Sequence, residues 1–228
     1  MGRTLVFDVN ETLLDLAALD EPFAAVFGDS SVRRLWFAQV LQSALVCNAL
    51  GVYRDFGVVA SAALDMVAQR RETALDDADR TAILSTMRRL PPHPEVPAAL
   101  DRLKAAGHRL AALTNSPTAV MTAQLQHAGL ADQFDLALSV DEVQTFKPHR
   151  AVYDMAAARL REDPGSLMLI AAHEWDTTGA MHAGWQAAFV ARPGMVLGPL
   201  SSAPTLVGDD LQQIAQQLTT DTTDGGAA

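Results

Sequence analysis

Residues 3–16, RTLVFDVNETLLDL, begin as an apolar run that leads directly into Asp8. A short run of β-branched and aromatic residues that stops at a polar residue predicts a buried strand over residues 4–8. A carboxylate at the end of such a strand is either a cap for the next turn or a functional group. The pattern of the remaining chain decides between these two interpretations.

The remaining chain shows two different patterns of apolar residues. Residues 15–89 carry apolar residues at spacings of three and four throughout, which is typical of helices. Within them, DDADRTAILSTMRRL (76–90) begins with aspartates suited to cap a helix. From residue 93 onward, short apolar runs alternate with amphipathic segments, and this alternation predicts a parallel sheet with helices on both faces. We therefore predict an α/β core that is interrupted after its first strand by an all-helical insertion.

The predicted segments have the following bounds. Strands are expected at 108–116, 134–140, 166–173 and 186–192, with a last short one early in 205–218. Helices are expected at 96–107, 118–130, 150–160, 177–184 and late in 205–218. The α/β core domain comprises 1–14 and 90–218, the helical domain comprises 15–89, and the polar residues 219–228 form a disordered tail.

Composition limits the classes of function. The chain has 228 residues, 49% of them hydrophobic, and a net charge of −10, which argues against nucleic acid as a partner but leaves room for a small anion. The single cysteine, Cys47, lies in an apolar run and favours a reducing compartment. No stretch reaches the ~18 apolar residues that a membrane span needs. We expect a soluble, cytoplasmic protein without membrane or nucleic-acid partners.

Polar residues follow several predicted strands at the edge where parallel sheets bind ligands. They are Asp8, Thr114 to Ser116, Ser139 with Lys147 after it, and His173 to Asp176. An ionised aspartate can attack carbon or phosphorus and form an ester that water later splits. A nearby lysine favours the ionised form, and Lys147 is the candidate.

Each of these residues also has a plainer interpretation. Thr12 either orients the Asp8 carboxylate or caps a helix. Thr114 and Asn115 either bind a substrate anion or form an Asx-type turn before Pro117. Lys147 is either the partner of Asp8 or a solvated lysine.

Four ordered motifs, FDVNETL, LTNS, FKP and AHEWD, resemble those of the haloacid dehalogenase superfamily. The spacing and the helical insertion after the first motif are similar to its L-2-haloacid dehalogenase (type II) branch. The resemblance implies a Rossmann-like core with a helical cap domain. It also implies a hydrolase in which Asp8 displaces halide from C2 of a short 2-haloacid.

The resemblance carries roles to individual positions. It implies catalytic roles for Asp8, Thr12, Lys147 and Asp176, and His173, which departs from the family pattern, is a further catalytic candidate. It implies substrate contacts for Val9, Asn10, Thr114, Asn115, Tyr153 and Trp175. Phe37 and Gln39, where the sequence departs from the type II pattern, are candidates for a halide or apolar pocket. Tyr153 is alternatively a core aromatic residue of its helix.

Asn10 bears on the choice of leaving group. Phosphatases of the superfamily carry an acid at this position that protonates the leaving oxygen, and an amide cannot do this. A halide leaves without a proton. Ala172 stands where phosphatases place an acid for Mg²⁺, so we expect no metal and no cofactor. The alternative of a Mg²⁺-dependent phosphatase retains Glu174 as a ligand.

Two departures from the type II pattern leave alternatives open. Phe37 stands where an arginine is thought to receive the halide, and Arg33 or Arg34 either replaces that arginine or lies on the surface. His173 stands where the family often has asparagine, and it is either a general base for water or a hydrogen-bonding replacement. A catalytically silent binding protein is a further alternative, and a homodimer stays open.

Overall fold

The structure is a computed structural model that describes residues 2–199 and 201–220. The strands in these residues are β1 (Thr4–Phe7), β2 (Arg109–Thr114), β3 (Leu136–Ser139), β4 (Leu167–Ala171), β5 (Gln186–Val190) and β6 (Leu206–Gly208). They form one parallel sheet in the order β3-β2-β1-β4-β5-β6. The parallel α/β sheet predicted from the sequence is confirmed.

The strand order places a ligand crevice beside β1. Phe7 pairs with Ala112 of β2 on one side and with Ile170 of β4 on the other. The chain extends the sheet through β2 and β3 in one direction, then returns to β4 and extends it in the other. Ligands bind outside the carboxyl ends of the strands where the order reverses in this way. Asp8 directly follows β1 at this point, and His173 lies two residues beyond β4.

Between β1 and the helix that precedes β2, all the elements of the described chain are helices. They are α1 (Asp20–Phe27), α2 (Val32–Leu50), α3 (Phe56–Arg70) and α4 (Asp77–Thr86), with 3₁₀ turns at Leu16–Leu19 and Met87–Arg89. Asp76 caps α4 by accepting a hydrogen bond from the Asp79 N–H, as the sequence predicted. The buried Trp36 donates its Nε1–H to the Ala60 carbonyl at 2.9 Å and so joins α2 to α3. The division into a core and a cap domain stays a prediction.

The second half adds α5 (Val96–Ala105), α6 (Thr118–His127), α7 (Arg150–Leu160), α8 (Glu174–His182) and α9 (Leu211–Thr220). The predicted strand 166–173 was too long, because β4 ends at Ala171 and His173 is already the N-cap of α8. Asp176 consequently lies in the first turn of α8, where the helix dipole favours a carboxylate.

The end of the chain differs from the prediction at two residues. Residues 219 and 220 belong to α9, although the sequence placed them in a disordered tail. The remainder of that predicted tail, 221–228, lies outside the described residues. In the described part of the chain, no helix is both long and apolar enough to cross a bilayer.

Candidate active site

Lys147 joins the two aspartates of the site. Its Nζ donates to Asp8 Oδ1 at 2.8 Å, to Asp176 Oδ2 at 2.6 Å and to the Leu113 carbonyl at 3.0 Å. The lysine is 2% exposed, so the interpretation as a solvated side chain is wrong. All three protons of the ammonium group are used, which fixes its position between the two carboxylates.

The charges of this cluster keep Asp8 ionised. Burial alone would raise the pKa of Asp8, but the Lys147 charge and the hydrogen bond from His173 outweigh it and lower that pKa. Burial would lower the pKa of Lys147, but the two aspartates raise it instead. Burial and the Asp8 charge together raise the pKa of Asp176. Asp8 is therefore a carboxylate at neutral pH.

Thr12 and Tyr153 orient the two carboxylates. The Thr12 hydroxyl donates to Asp8 Oδ2 at 2.7 Å and accepts from the Ala172 N–H at 2.9 Å, which links the loops after β1 and β4. The Tyr153 hydroxyl donates to Asp176 Oδ1 at 2.6 Å. Its ring is fully buried and packs edge-on against Trp185, so Tyr153 is both a core aromatic residue and a partner of the site.

His173 lies between two carboxylates. Its Nδ1 is 3.1 Å from Asp8 Oδ2, and its Nε2 is 2.9 Å from Glu11 Oε2. Burial would lower the pKa of His173, but the hydrogen bonds and charges of Asp8 and Glu11 outweigh it and raise the pKa to about 10. The ring is thus an imidazolium ion at neutral pH. In this arrangement it donates two hydrogen bonds and has no lone pair to act as a base.

Aromatic rings border His173 on two sides. Trp175 stacks on it with ring centroids 5.0 Å apart, and the centroid of Phe37 from α2 is 6.2 Å away. The Phe37 contact brings α2 of the helical insertion next to His173, and the substrate contacts expected of Phe37 and Trp175 stay predictions.

The residues after β2 form a connected hydrogen-bond network. The Ser116 N–H donates to Thr114 Oγ1 at 3.1 Å, so the turn before Pro117 is closed by a threonine hydroxyl and not by an asparagine. The Asn115 side chain instead accepts from the Lys147 N–H at 2.9 Å, which leaves its amide nitrogen available as a donor.

The Asn10 side chain is held on both ends. Its Nδ2 donates to Ser116 Oγ at 3.1 Å, and its Oδ1 accepts from Gln124 Nε2 at 3.0 Å. The side chain therefore bridges the loop after β1 to Ser116 and α6, and its contact with a substrate stays a prediction. The Val9 side chain is fully buried in the hydrophobic core, so only its backbone is placed to meet a substrate.

Gln39, which the sequence predicted as a substrate contact, is hydrogen-bonded within the helical insertion. Its amide accepts from Arg70 at 2.7 Å and donates to Ser43 at 3.2 Å, which ties α2 to the end of α3. Residues two apart on a helix point in different directions. Phe37 borders His173, so Gln39 lies on a different side of α2, and its contact with a substrate stays a prediction.

Arg33 is a buried cation of α2. It is 8% exposed, and its Nε donates to Asp20 at 2.6 Å while Nη1 lies 3.9 Å from Glu11. The interpretation as a surface residue is thus wrong for Arg33, whereas Arg34 is exposed.

Phe37 borders two cavities. One of about 610 Å³ is lined by Glu11, Arg33, Phe37, His173 and Trp175 among others. The other, of about 360 Å³, is more apolar and is lined by Phe37 together with residues that include Trp36, Val40, Phe56, Met87 and Ser116. Phe37 therefore forms part of the wall of both cavities.

Sequence reasoning missed several residues of this site. Glu11, Gln124 and Arg192 contact its members, the last through a hydrogen bond to the Thr12 carbonyl at 2.8 Å. Glu11 offered one signal, since it lies three positions after the nucleophile. Gln124 offered none, because it lies on an ordinary amphipathic helix. Within the described residues, no group of three or more His, Cys, Asp or Glu side chains is arranged to hold a metal ion.

Comparisons with known proteins agree with this geometry. The profile of the haloacid dehalogenase-like hydrolases matches residues 3–184. An (S)-2-haloacid dehalogenase of Pseudomonas sp. (strain YL) is 30% identical over 96% of this chain and 95% of its own. Haloacetate dehalogenase H-2 of Moraxella sp. (strain B) is 27% identical over 89% of this chain and 91% of its own. The solved L-2-haloacid dehalogenase of Xanthobacter autotrophicus with chloropropionic acid covalently bound is 23% identical and has the same fold, with a TM-score of 0.89 over the whole of both chains.

Proposed function

The chain belongs to the haloacid dehalogenase-like hydrolases, and we propose that it hydrolyses short 2-haloalkanoic acids through an ester on Asp8. The observation that carries the proposal is the Asp8 carboxylate, buried and ionised at the carboxyl end of β1 with Lys147 at 2.8 Å. It is supported by relatives named as dehalogenases of 2-haloacids and haloacetate.

In the first half-reaction an Asp8 oxygen attacks C2 of the substrate. The new bond joins this oxygen to C2, and the halide departs with the electron pair of the carbon–halogen bond. Thr12 and Lys147 hold the carboxylate in one orientation, which reduces the entropy lost on reaching the transition state. Because a halide needs no proton, the Asn10 amide at the phosphatase acid position costs the reaction nothing.

In the second half-reaction water attacks the ester carbonyl of Asp8. The acyl–oxygen bond breaks, the 2-hydroxy acid leaves, and Asp8 is restored as a carboxylate. Lys147 stabilises the negative charge that develops on the ester oxygen. Asp176 holds Lys147 in place with a 2.6 Å hydrogen bond and is itself held by Tyr153.

The substrate is a small anion, and we propose that Arg33 and the Asn115 amide nitrogen bind its polar groups. Arg33 lines the larger cavity and Asn115 lies beside the Lys147 backbone. The reaction needs no metal in this proposal, since Ala172 stands at the position where the phosphatases of the superfamily have an acid.

We also propose that the protein forms a homodimer through α2 and α3. These helices expose Leu45, Val46, Leu50 and Val58, whose relative exposures range from 47% to 69%. Sedimentation of the wild type and of Leu50→Glu tests this, and a monomeric wild type contradicts it.

Halide release in the presence of EDTA tests the function. We expect release from 2-chloropropionate or from haloacetates by the wild type and none by Asp8→Asn. A phosphate-release screen with and without Mg²⁺ is the matched assay for the phosphatase alternative. Inactivity toward chloro-, bromo- and fluoro-acids would contradict the proposal, and Mg²⁺-dependent phosphate release would replace it.

A further inference from the structure

The residue before Lys147 in the chain is held by the helical insertion. The Phe146 ring is fully buried, and its centroid lies 5.2 Å from that of Tyr53 and 5.8 Å from that of Phe56. Tyr53 lies between α2 and α3, and Phe56 is the first residue of α3. The Phe146 side chain therefore packs into the insertion, although its own segment follows β3 of the sheet.

Asn48, near the end of α2, holds the backbone of the same residue. An asparagine side chain offers both donors and an acceptor, so it can pair with the N–H and the carbonyl of one residue at once. Here Nδ2 donates to the Phe146 carbonyl at 2.7 Å, and Oδ1 accepts from the Phe146 N–H at 2.9 Å. Oδ1 also accepts from Thr145 Oγ1 at 3.0 Å. Both the position and the direction of this backbone are thus defined from α2.

The peptide group that joins Phe146 to Lys147 is held at both ends. Its carbonyl, that of Phe146, accepts from Asn48 of the insertion. Its N–H, that of Lys147, donates at 2.9 Å to Asn115 Oδ1 in the loop after β2. Because a peptide group is planar, these two bonds define its plane and limit the direction in which the lysine side chain leaves the backbone. The insertion provides one of the bonds and the sheet provides the other.

The other end of Lys147 needs this precision. Its Nζ donates to Asp8, to Asp176 and to the Leu113 carbonyl, and each bond weakens when its distance or angle changes. A displacement of about 1 Å at a catalytic group costs about 100-fold in rate. A shift of Phe146 would carry the Lys147 Cα with it and disturb all three bonds.

We propose that Asn48 is a positioning residue through which the helical insertion fixes the backbone of Lys147 and so holds its ammonium group against Asp8. Asn48 acts on the lysine through Phe146. The consequence for the reaction rests on the proposed function, because it requires an ester on Asp8. The consequence for the lysine is independent of it, because the three bonds of Nζ are present in the free enzyme.

Tyr53 provides a matched control. Its hydroxyl donates to Asp141 Oδ1 at 2.5 Å, so it also joins the insertion to the segment after β3. Asp141 in turn accepts from the Thr118 N–H at 2.9 Å, at the start of α6. Tyr53→Phe removes one hydrogen bond between the insertion and the sheet but keeps the aromatic ring. If Asn48 only ties the insertion to the sheet, Asn48→Ala and Tyr53→Phe should behave alike.

NMR of the lysine ammonium groups tests the geometry without requiring turnover. The chain has two lysines, so ¹⁵N-labelled lysine gives one signal from the buried Lys147 and one from the exposed Lys104. In Asn48→Ala we expect the ammonium protons of Lys147 to exchange with solvent at least about tenfold faster, because their hydrogen bonds open more often. Tyr53→Phe should keep the wild-type exchange. Unchanged exchange in Asn48→Ala, or equal acceleration in Tyr53→Phe, overturns the inference.

Rapid-quench kinetics of ester formation tests the consequence for the reaction. At saturating 2-chloropropionate, Asn48→Ala should slow ester formation by about 100-fold, as a misplaced catalytic group does. The half-saturating concentration should change by less than about threefold, because Arg33, the proposed anion contact, is held by Asp20 and not by Asn48. Tyr53→Phe should stay within about threefold of the wild type in both quantities.

The outcomes separate this inference from the proposed function. If the wild type forms no ester, the proposed function fails, and the exchange of the Lys147 protons still decides the inference. If Asn48→Ala forms the ester as fast as the wild type or as Tyr53→Phe, only the inference fails. Circular dichroism shows whether each variant is folded. An unfolded Asn48→Ala is replaced by Asn48→Asp, which keeps the acceptor contacts and loses the donor bond to the Phe146 carbonyl, and the same outcomes decide.

Discussion

At the scale of single residues, the site is a set of buried charges that satisfy one another. Lys147 contacts two carboxylates and His173 contacts two, with Asp8 shared between them. Each ion would be costly to bury alone, and removing one leaves its partners without compensation. The arrangement is therefore sensitive to the loss of any single member.

Lys147→Met tests this dependence. Two buried carboxylates lose their shared cation, so we expect a loss of about 3 kcal/mol or more in the free energy of unfolding. The halide-release rate should fall by about 100-fold or more, because Asp8 loses its orienting charge. The control is Lys104→Met, which changes the chain's other lysine, an exposed one. Urea denaturation and halide release measure both effects, and a Lys147→Met variant as stable as Lys104→Met contradicts the account.

The sequence predicted some of these residues and not others for a physical reason. Asp8, Lys147 and Asp176 follow strands or precede helices in an order that a parallel sheet brings together. Glu11 joins them only through its left-handed backbone, which no residue type dictates. The charge of His173 depends on two distances of about 3 Å that no spacing in the sequence reveals.

At the scale of elements, the helix face of α2 determines what meets the nucleophile. Trp36 and Phe37 point inward, whereas Gln39 bonds to Arg70 of α3. The apolar periodicity predicted the helix correctly. The side of the helix on which Gln39 lies could not be assigned without the neighbouring helix α3. Phe37 is the residue that lines both cavities.

Phe37→Ala tests the role of this ring in substrate size. The cavities of about 610 and 360 Å³ should become continuous. We expect the ratio of kcat/KM for 2-chlorobutyrate to that for 2-chloropropionate to rise about tenfold, as expected for a methylene in an apolar pocket. Leu35→Ala, an exposed change on the same helix, should keep the wild-type ratio. An unchanged ratio in Phe37→Ala contradicts this prediction.

The packing of α8 on α7 provides a second test at this scale. A Cβ at Gly179 would lie 2.6 Å from the Tyr153 hydroxyl and 2.5 Å from Pro148 Cβ. Gly179→Ala should therefore displace Tyr153 from Asp176, lowering the free energy of unfolding by about 1–3 kcal/mol and slowing halide release. Gly165→Ala, where a Cβ would meet no atom within 4 Å, should change neither. Equal behaviour of the two variants in urea denaturation contradicts the packing argument.

At the scale of the whole molecule, the helical insertion and the sheet share the site. Asn48 of α2 donates to the Phe146 carbonyl at 2.7 Å and accepts from the Phe146 N–H at 2.9 Å, next to Lys147. The alternation of strands and helices was sufficient to predict the sheet, whereas such contacts between distant segments were not predictable from local patterns. A cytoplasmic location stays a prediction from the sequence.

The stability of the whole molecule should depend on His173 above neutral pH. Its pKa is raised to about 10 in the folded protein, from about 6.5 when unfolded. The contribution of His173 to the free energy of unfolding is fully present below pH 6.5. It is lost as the pH rises through 10, at up to about 1.4 kcal/mol per pH unit. His173→Asn should flatten the dependence of the free energy of unfolding on pH in this range, and a change at the exposed His127, His127→Asn, should not. Urea denaturation from about pH 6 to 10 measures it, and parallel curves for wild type and His173→Asn contradict it.

The central claim is that Asp8 bonds covalently to the substrate and is regenerated by water. The most direct test is a single turnover of 2-chloropropionate with excess enzyme in ¹⁸O-water, followed by mass spectrometry of the peptide that contains Asp8 and of the product. The account predicts ¹⁸O in the Asp8 carboxylate and an unlabelled hydroxyl group in the first lactate released. Labelled lactate together with an unlabelled Asp8 would contradict it.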